Sequence, residues 1–368
     1  MLCYLAFRGV VGGIAEPAPP LDSLDPSFTQ GYHVLNAHLS WPSYTACFDR
    51  VGTYVERLGA AQVPLRRRSA VLYHMGPVGR ADPLASVFLE NLRVFFDSLA
   101  LPAAPGDALV PPFVIVNLVG GRGNSMWEAV QAQVGRLSAA EGERSCIIEW
   151  GSAESDILTH LQTLALLGLS ITDKLGTVFA LNQGVRGPLP TGGRVGLDWL
   201  GEYSEALFAT KSLALVGPLL SCQFAPHLQT HMFALKTVFL PTVLNHGLVK
   251  VPKSGTGWLQ NSVMHQEVGL SDSLLDEGIA IASMADRMAL GRDIFLPQHC
   301  PHTVFGALNP STTCMLNVST LGFVKFGGEL MRKDLLCKRV VDEVTELSAP
   351  RTREGLGALG ERKRQQSN

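Results

Sequence analysis

The chain has 368 residues, 46% of them hydrophobic and 17% charged, and 30 basic side chains stand against 32 acidic ones for a net charge of −2. At roughly 100–200 residues per domain this length buries one large core or two small ones, and the hydrophobic fraction excludes disorder for most of it. The near-neutral balance supplies no overall field to recruit nucleic acid or an anionic membrane, so no nucleic-acid partner is expected.

Residues 1–15 (MLCYLAFRGVVGGIA) are apolar but broken by Arg8 and followed by Pro17, Pro19 and Pro20. The stretch reads as a weak signal or an anchor remnant. No later segment offers the ~18 uninterrupted apolar residues that a membrane span needs. Residues 42–59 place Tyr44, Phe48, Val51, Tyr54 and Val55 at helical spacing. Residues 1–65 are therefore expected to form an N-terminal appendage with one helix.

After Arg66-Arg67-Arg68 the pattern changes. Apolar runs at 69–74 (SAVLYH), 113–119 (FVIVNLV), 146–150, 177–181 and 213–216 alternate with helix-period segments at 84–99, 125–137, 155–167 and 199–210. Ser155 or Asp156 would cap the third of those helices. Continuous apolar runs separated by helices point to a parallel sheet buried on both faces, a Rossmann-like, doubly wound α/β domain. Farther on, 227–235 and 279–283 read as strands, and 238–246 and 261–277 as helices, so the sheet continues in mixed order. The α/β domain is expected over 66–348. Residues 349–368, rich in Arg, Gly and Gln with no apolar period, read as a disordered tail.

Seven cysteines, Cys3, Cys47, Cys146, Cys222, Cys300, Cys314 and Cys337, form no Cys-x-x-Cys pair and no zinc ladder. They read as buried small side chains, with a Cys300–Cys314 bridge left open.

In an open α/β sheet, ligands bind beyond the carboxyl ends of the strands. The residues standing there are His74 and Gly76, then Gly120-Gly121-Arg122-Gly123-Asn124, then Gly151 and Asp156, then Asn182, Gln183, Gly184 and Arg186. The Gly120–Gly123 turn lacks the Gly-x-Gly-x-x-Gly spacing and a clearly placed downstream acid, which leaves an NAD(P) oxidoreductase as a weaker alternative. No nucleoside-triphosphate loop and no Gly-x-Ser-x-Gly elbow is present. A strand running into Asn182-Gln183-Gly184 and then Arg186-Gly187-Pro188 would hold two amides and one guanidinium at the edge of the cleft.

These residues carry a resemblance. Leu181-Asn182 with Val185-Arg186-Gly187-Pro188, Leu215-Val216-Gly217-Pro218 with Cys222, Pro226-His227-x-Gln229 with Phe233-Ala234, and Glu267-Val268-Gly269 with Ser271 resemble a group of eukaryotic glycosyltransferase-like proteins, distantly similar to the bacterial rhamnan synthesis protein F family. Leu72-Tyr73-His74 and Leu321-Gly322-Phe323-Val324-Lys325 fit the same pattern, which spans roughly residues 69–326.

The resemblance implies a GT-A type mixed sheet and a transferase of polysaccharide biosynthesis. Such an enzyme moves a sugar from a nucleotide-sugar donor to a glycan or protein hydroxyl. It also implies a divalent metal, Mn2+ or Mg2+, on an Asp-x-Asp at a strand end. Here Asn182-Gln183-Gly184 holds that position without a carboxylate. Either the metal is dispensable and Arg186 carries the phosphate charge, or the protein is an inactive relative that binds carbohydrate or acts as a scaffold. Asp156 corresponds to a nucleoside contact, or else caps its helix. Glu267, or His227 or His231 in its place, would be the base for the acceptor hydroxyl, and Gln229 would read sugar hydroxyls. His74, Asp156, Asn182, Gln183, Arg186 and Gln229 are thus the expected substrate contacts. Trp258, in the polar loop 253–261, would stack on a sugar, and the Asn317-Val318-Ser319 sequon matters only in a secretory chain. An anchor at the N-terminus would mean a Golgi or other endomembrane lumen; without one the chain would be cytoplasmic.

Overall fold

A computed structural model describes residues 40–100, 110–141, 143–152, 155–189, 197–221, 225–248, 263–284, 323–325, 342 and 344–346. The N-terminal segment 1–15, the loop 253–261 with Trp258, the sequon, Cys300, Cys314 and the tail lie outside them. Helix α1 (Trp41–Ala60) opens the fold, with Pro42 in its first turn, where a missing N–H costs nothing. Three βα units follow, β1 (Ser69–Met75) with α2 (Ala85–Ala100), β2 (Phe113–Val119) with α3 (Trp127–Glu141), and β3 (Ser145–Trp150) with α4 (Asp156–Leu167) and the one-turn α5 (Leu169–Thr172), and then β4 (Thr177–Asn182). After it come the short β5 (Val185–Arg186), α6 (Asp198–Ala209), β6 (Leu213–Gly217), β7 (Leu220–Ser221), β8 (His227–Leu228), β9 (Met232–Lys236), α7 (Leu240–Gly247), α8 (Gly269–Asp276), β10 (Ala280–Ser283) and β11 (Val324–Lys325).

The main sheet has seven strands in the order β10-β6-β9-β4-β1-β2-β3. β1 pairs in parallel with both β2 and β4, β2 with β3, and β10 with β6. β9 alone runs antiparallel, inserted between β4 and β6. The result is a mixed, mostly parallel sheet with helices on both faces. Every residue of β1 and β2 is buried, which explains why these strands read as unbroken apolar runs. One face packs against α1, α4, α7 and α8; the other packs against α2, α3 and α6. The start of β4 is pinned at Gly176, where a β-carbon would stand 2.2 Å from the Leu65 carbonyl oxygen. Only glycine fits that approach.

Three expectations change. The stretch 227–235 is two strands, because β8 folds back on β7 as a hairpin while β9 joins β4 and β6. The helix expected over 261–277 begins as a π-helical turn, Val263–Val268, before α8. Finally, α1 is part of the core and no appendage: Tyr44, Cys47, Val51, Tyr54, Val55 and Leu58 are buried among Phe113, Ile115, Cys146 and Ile148.

α1 also covers the sheet edge formed by β3. The Ser40 N–H donates to the Glu149 carbonyl at 2.9 Å, the Ser43 hydroxyl accepts from the Glu149 N–H at 3.1 Å, and Arg50 Nη1 donates to the Ser145 carbonyl at 3.2 Å. These bonds occupy part of the edge that β3 would otherwise offer to another chain. The Tyr44 hydroxyl donates to the Leu166 carbonyl at 2.6 Å, and burial pushes its pKa up to about 12.

Cys47 of α1 and Cys146 of β3 form a disulfide with Cα atoms 5.3 Å apart, across a sequence separation of 99. This corrects the reading of both as unpaired small side chains. Among the described residues no helix is long and apolar enough to cross a membrane. A bridge across so long a loop restricts the unfolded chain. Cys47→Ala, Cys146→Ala and the double variant should each lower stability by the same ~2–5 kcal/mol in denaturant titrations; additive losses would mean that the two thiols do not pair.

Candidate functional site

The carboxyl ends of β1 and β4 meet the first turns of α4. Ser155 caps this helix, its hydroxyl oxygen accepting from the Leu158 N–H at 3.1 Å while the hydroxyl donates to Gln266 Oε1 at 2.6 Å. Helical periodicity then turns Asp156, His160 and Thr163 toward the sheet. Opposite them, strand register sets three polar residues side by side, since His74 pairs across with Asn117 of β2 and with Asn182 of β4. The hydrogen bonds close this layer. Asn182 Nδ2 donates to Asp156 Oδ2 at 2.5 Å, and Asn182 Oδ1 accepts from the Gly184 N–H at 3.0 Å. Asn117 Oδ1 accepts from Trp150 Nε1 at 3.0 Å and from the Thr163 hydroxyl at 2.9 Å.

His160 Nε2 lies 3.1 Å from the Leu181 carbonyl oxygen. A carbonyl only accepts, so this contact fixes the Nε2–H tautomer and leaves Nδ1 as a bare lone pair. That Nδ1, Asn117 Nδ2 and Gln183 Oε1 are buried atoms with no hydrogen-bond partner in the chain. The rings of His160 and His74 stand edge to face, 5.9 Å apart. A methyl at Gly76 would sit 3.4 Å from Gln183 Nε2 and 3.5 Å from His74 Nε2, which locates both groups above that glycine.

Burial, reinforced by the neighbouring His74, pushes the His160 imidazole from its ordinary 6.5 down to about 3. For Asp156 burial acts to raise the pKa, but His74, the Asn182 amide, His160 and the Ile157 N–H together outweigh it and hold the carboxyl below its usual range. The site at neutral pH is thus an ionised carboxylate beside a neutral imidazole.

Of the residues singled out in the sequence, His74, Asp156, Asn182 and Gln183 converge here. Arg186 does not join them. It is buried on the opposite face, its Nε donating to Asn91 Oδ1 of α2, while Asn91 Nδ2 donates to the Gln183 carbonyl at 2.8 Å. Burial lowers its pKa to about 10. The expected guanidinium pointing into the cleft is instead packed between β5 and α2.

His227 is buried in the β7–β8 hairpin, with Nδ1 2.8 Å from the Ala225 carbonyl, and the Gln229 N–H donates to the Leu219 carbonyl at 3.1 Å. Glu267 lies in the π turn, where Oε1 accepts from the Thr230 N–H at 2.8 Å. These three form a neighbouring group, linked to the site through His231, whose carbonyl accepts from the Asn182 N–H at 3.1 Å.

The Gly120–Gly123 turn uses its own donors. Gly120 and Gly121 adopt positive φ, and the N–H groups of Gly120, Gly123, Asn124 and Trp127 all donate to backbone carbonyls. Asn124 donates through Nδ2 to the Gly76 and Val119 carbonyls at 2.8 Å, and its Oδ1 accepts from the Met126 N–H at 2.9 Å. Those four N–H groups are therefore committed to the fold and do not serve as a cradle for a diphosphate.

His160 was missed in the sequence, although Asp156-x-x-x-His160 on one helix is a readable i,i+4 pair. Asn117, a polar residue inside FVIVNLV, was an equally visible signal. The strand end at 182–184, where the resemblance implies an Asp-x-Asp, offers a divalent ion no carboxylate, and the Asn182 amide oxygen there is engaged by the Gly184 N–H. Among the described residues no group of three His, Cys, Asp or Glu could hold a metal. Set against known proteins, the chain matches no family model and no curated sequence.

Two outcomes follow. The unfolded chain takes up a proton on His160 below its ordinary 6.5, while the folded chain does so only near 3, so stability is complete above pH 6.5 and falls as pH drops through this window. The slope reaches at most about 1.4 kcal/mol per pH unit, and His160→Gln should flatten it in urea midpoints measured from pH 7 to 4. Arg186→Ala should cost ~2–3 kcal/mol in denaturant titrations, with Arg186→Lys restoring only part of it. An unchanged midpoint would return Arg186 to the cleft.

Proposed function

We propose that this chain is a glycosyltransferase-type protein that binds a nucleotide sugar at the carboxyl edge of its sheet, over β1 and β4. One observation carries the reading. His74, Asp156, Asn182 and Gln183, drawn from three separate elements, meet where α/β sheets hold their ligands, with His160 Nδ1 and Gln183 Oε1 buried and unpartnered beside them. Asp156 contacts the nucleoside, as its match to the glycosyltransferase-like pattern implies. Donor binding here depends on no divalent metal, because positions 182–184 carry no carboxylate and the Asn182 amide is engaged within the chain. In the transfer reading Glu267 or His227 deprotonates the acceptor hydroxyl and Gln229 holds the acceptor sugar, on the hairpin and π turn next to the donor site.

A second reading is a relative that binds sugar nucleotides or glycans without transferring them. The position of Arg186 favours it: the guanidinium that would have neutralised a diphosphate leaving group is bonded to Asn91. An NAD(P) oxidoreductase ranks last, since the glycine turn lacks the Gly-x-Gly-x-x-Gly spacing and spends the N–H groups of Gly120, Gly123 and Asn124 on the fold.

A thermal-shift screen with UDP, GDP, CMP and their sugars, with and without Mn2+, and with NAD(P) as rival, separates these readings. The expected result is a metal-independent rise in melting temperature with one nucleotide class, since a ligand that binds only the native state stabilises it by mass action. Release of free nucleotide from the matching nucleotide sugar in the presence of acceptor assigns transfer; binding without release assigns the second reading. No shift with any nucleotide overturns both forms of nucleotide-sugar binding.

A further inference from the structure

We propose that the edge of the sheet where β1 and β4 begin, at the far end from the candidate site, is a docking face for an anionic lipid surface. The proposal is independent of the nucleotide-sugar reading. Leu65 is 46% and Val238 69% exposed, and they are two of the three large apolar side chains that stand exposed among the described residues. The fold sets them around one glycine, since β1 and β9 flank β4. The Leu65 carbonyl closes on Gly176, where a β-carbon would stand 2.2 Å from its oxygen, and the Thr237 N–H, one residue before Val238, donates to the Gly176 carbonyl at 3.2 Å. Leu65 opens a one-turn 3-10 helix, Leu65–Arg67, that buries none of its residues.

Cations surround this pair. Arg66, Arg67 and Arg68 lead into β1, Lys174 stands two residues before Gly176, and Lys211 follows α6, where its carbonyl accepts from the buried Lys236 Nζ at 3.3 Å. Arg66, Lys174 and Lys211 are exposed, and their side chains hold no ion pair or hydrogen bond among the described residues. The segments 64–68, 173–176, 205–212 and 236–239 carry only Asp173 and Glu205 against these cations. The chain as a whole has a net charge of −2, so this positive field is local and acts within about one Debye length, ~10 Å. A lipid surface suits such a face better than a protein does. A stable protein partner would need a continuous complementary surface of about 800 Å² per side, whereas the apolar side chains here are single and come from separate segments. A headgroup layer takes in isolated apolar side chains without shape matching, while its anions neutralise the guanidinium and ammonium groups around them. β1 has seven residues and spans about 20 Å, so docking on this edge leaves His74 and Asp156 at the end of the sheet that faces away from the lipid.

The test sediments the full-length protein with vesicles of phosphatidylcholine alone and of phosphatidylcholine with about 30% phosphatidylserine. The expected result is binding to the anionic vesicles only, released as salt is raised to about 0.5 M. The triple variant Arg66→Glu, Lys174→Glu, Lys211→Glu should weaken partitioning by about 100-fold, and Leu65→Ser with Val238→Ser by about 10-fold. All five side chains are exposed, so melting temperatures should stay close to that of the parent. Should charge reversal lower the melting temperature, the triple Gln variant at the same three positions takes its place. Equal binding to both vesicles overturns the proposal, because the apolar run at 1–15 would produce that without the basic face. Binding that survives loss of the three cations overturns it too, as does the absence of vesicle binding. Capture by polyglutamate in place of vesicles would assign the face to an acidic protein and overturn the lipid.

Discussion

Three polar side chains abreast in the middle of a parallel sheet are a constraint that everything around them must answer. Asn117, His74 and Asn182 occupy matching register positions on β2, β1 and β4, where the strands are otherwise apolar. Each would cost on the order of 1–3 kcal/mol if buried without a partner. For Asn117 and Asn182 the partners come from one helix, α4, through Thr163 and Asp156, and from the indole of Trp150. The two bonds from α4 fix both its rotation and its position along the sheet, because a shift of one residue would break both. Hydrophobic burial alone would tolerate several such placements.

α1 acts on the same structure from the side. By covering the β3 edge and bridging to it through Cys47–Cys146, it holds the strand that supplies Trp150 and leads into Ser155 and Asp156. Tyr44 ties α1 to the carboxyl end of α4 through the Leu166 carbonyl. One helix is thus anchored at both ends: by polar contacts to the site at its start, and by α1 at its finish. Order at the site is in this way inherited from an element that carries none of the site chemistry.

Much of this was legible in the sequence, for a local reason. Seven-residue apolar runs such as FVIVNLV can only be buried strands, and Ser155 before an apolar 3.6-period segment is a helix start. What stayed hidden depends on direction or distance. The antiparallel course of β9 leaves no mark in its own five residues, since a buried strand is apolar whichever way it runs. Cys47 and Cys146 stand 99 positions apart, and nothing at either place announces the other. His160 is the instructive case, because its i,i+4 relation to Asp156 was present but carried no weight until β4 supplied the Leu181 carbonyl.

The separation of Arg186 from Asp156 has the same geometric root. Successive residues of an extended strand point to opposite faces, so Tyr73 turns toward Phe95 of α2 while His74 turns toward His160 of α4. A list of residues beyond a strand end merges two surfaces that the sheet keeps apart. On one, acceptors gather around an ionised carboxylate; on the other, a buried guanidinium is bonded to Asn91. The turn at Gln183 and Gly184 stands between them, bonded to both: the Gln183 carbonyl accepts from Asn91, and the Gly184 N–H donates to Asn182. Any movement of that turn on ligand binding would be felt on both faces, because each holds it through a side-chain amide. Asn182, which donates to Asp156 while its side-chain oxygen accepts from the Gly184 N–H, makes a link that an aspartate at the same place could not.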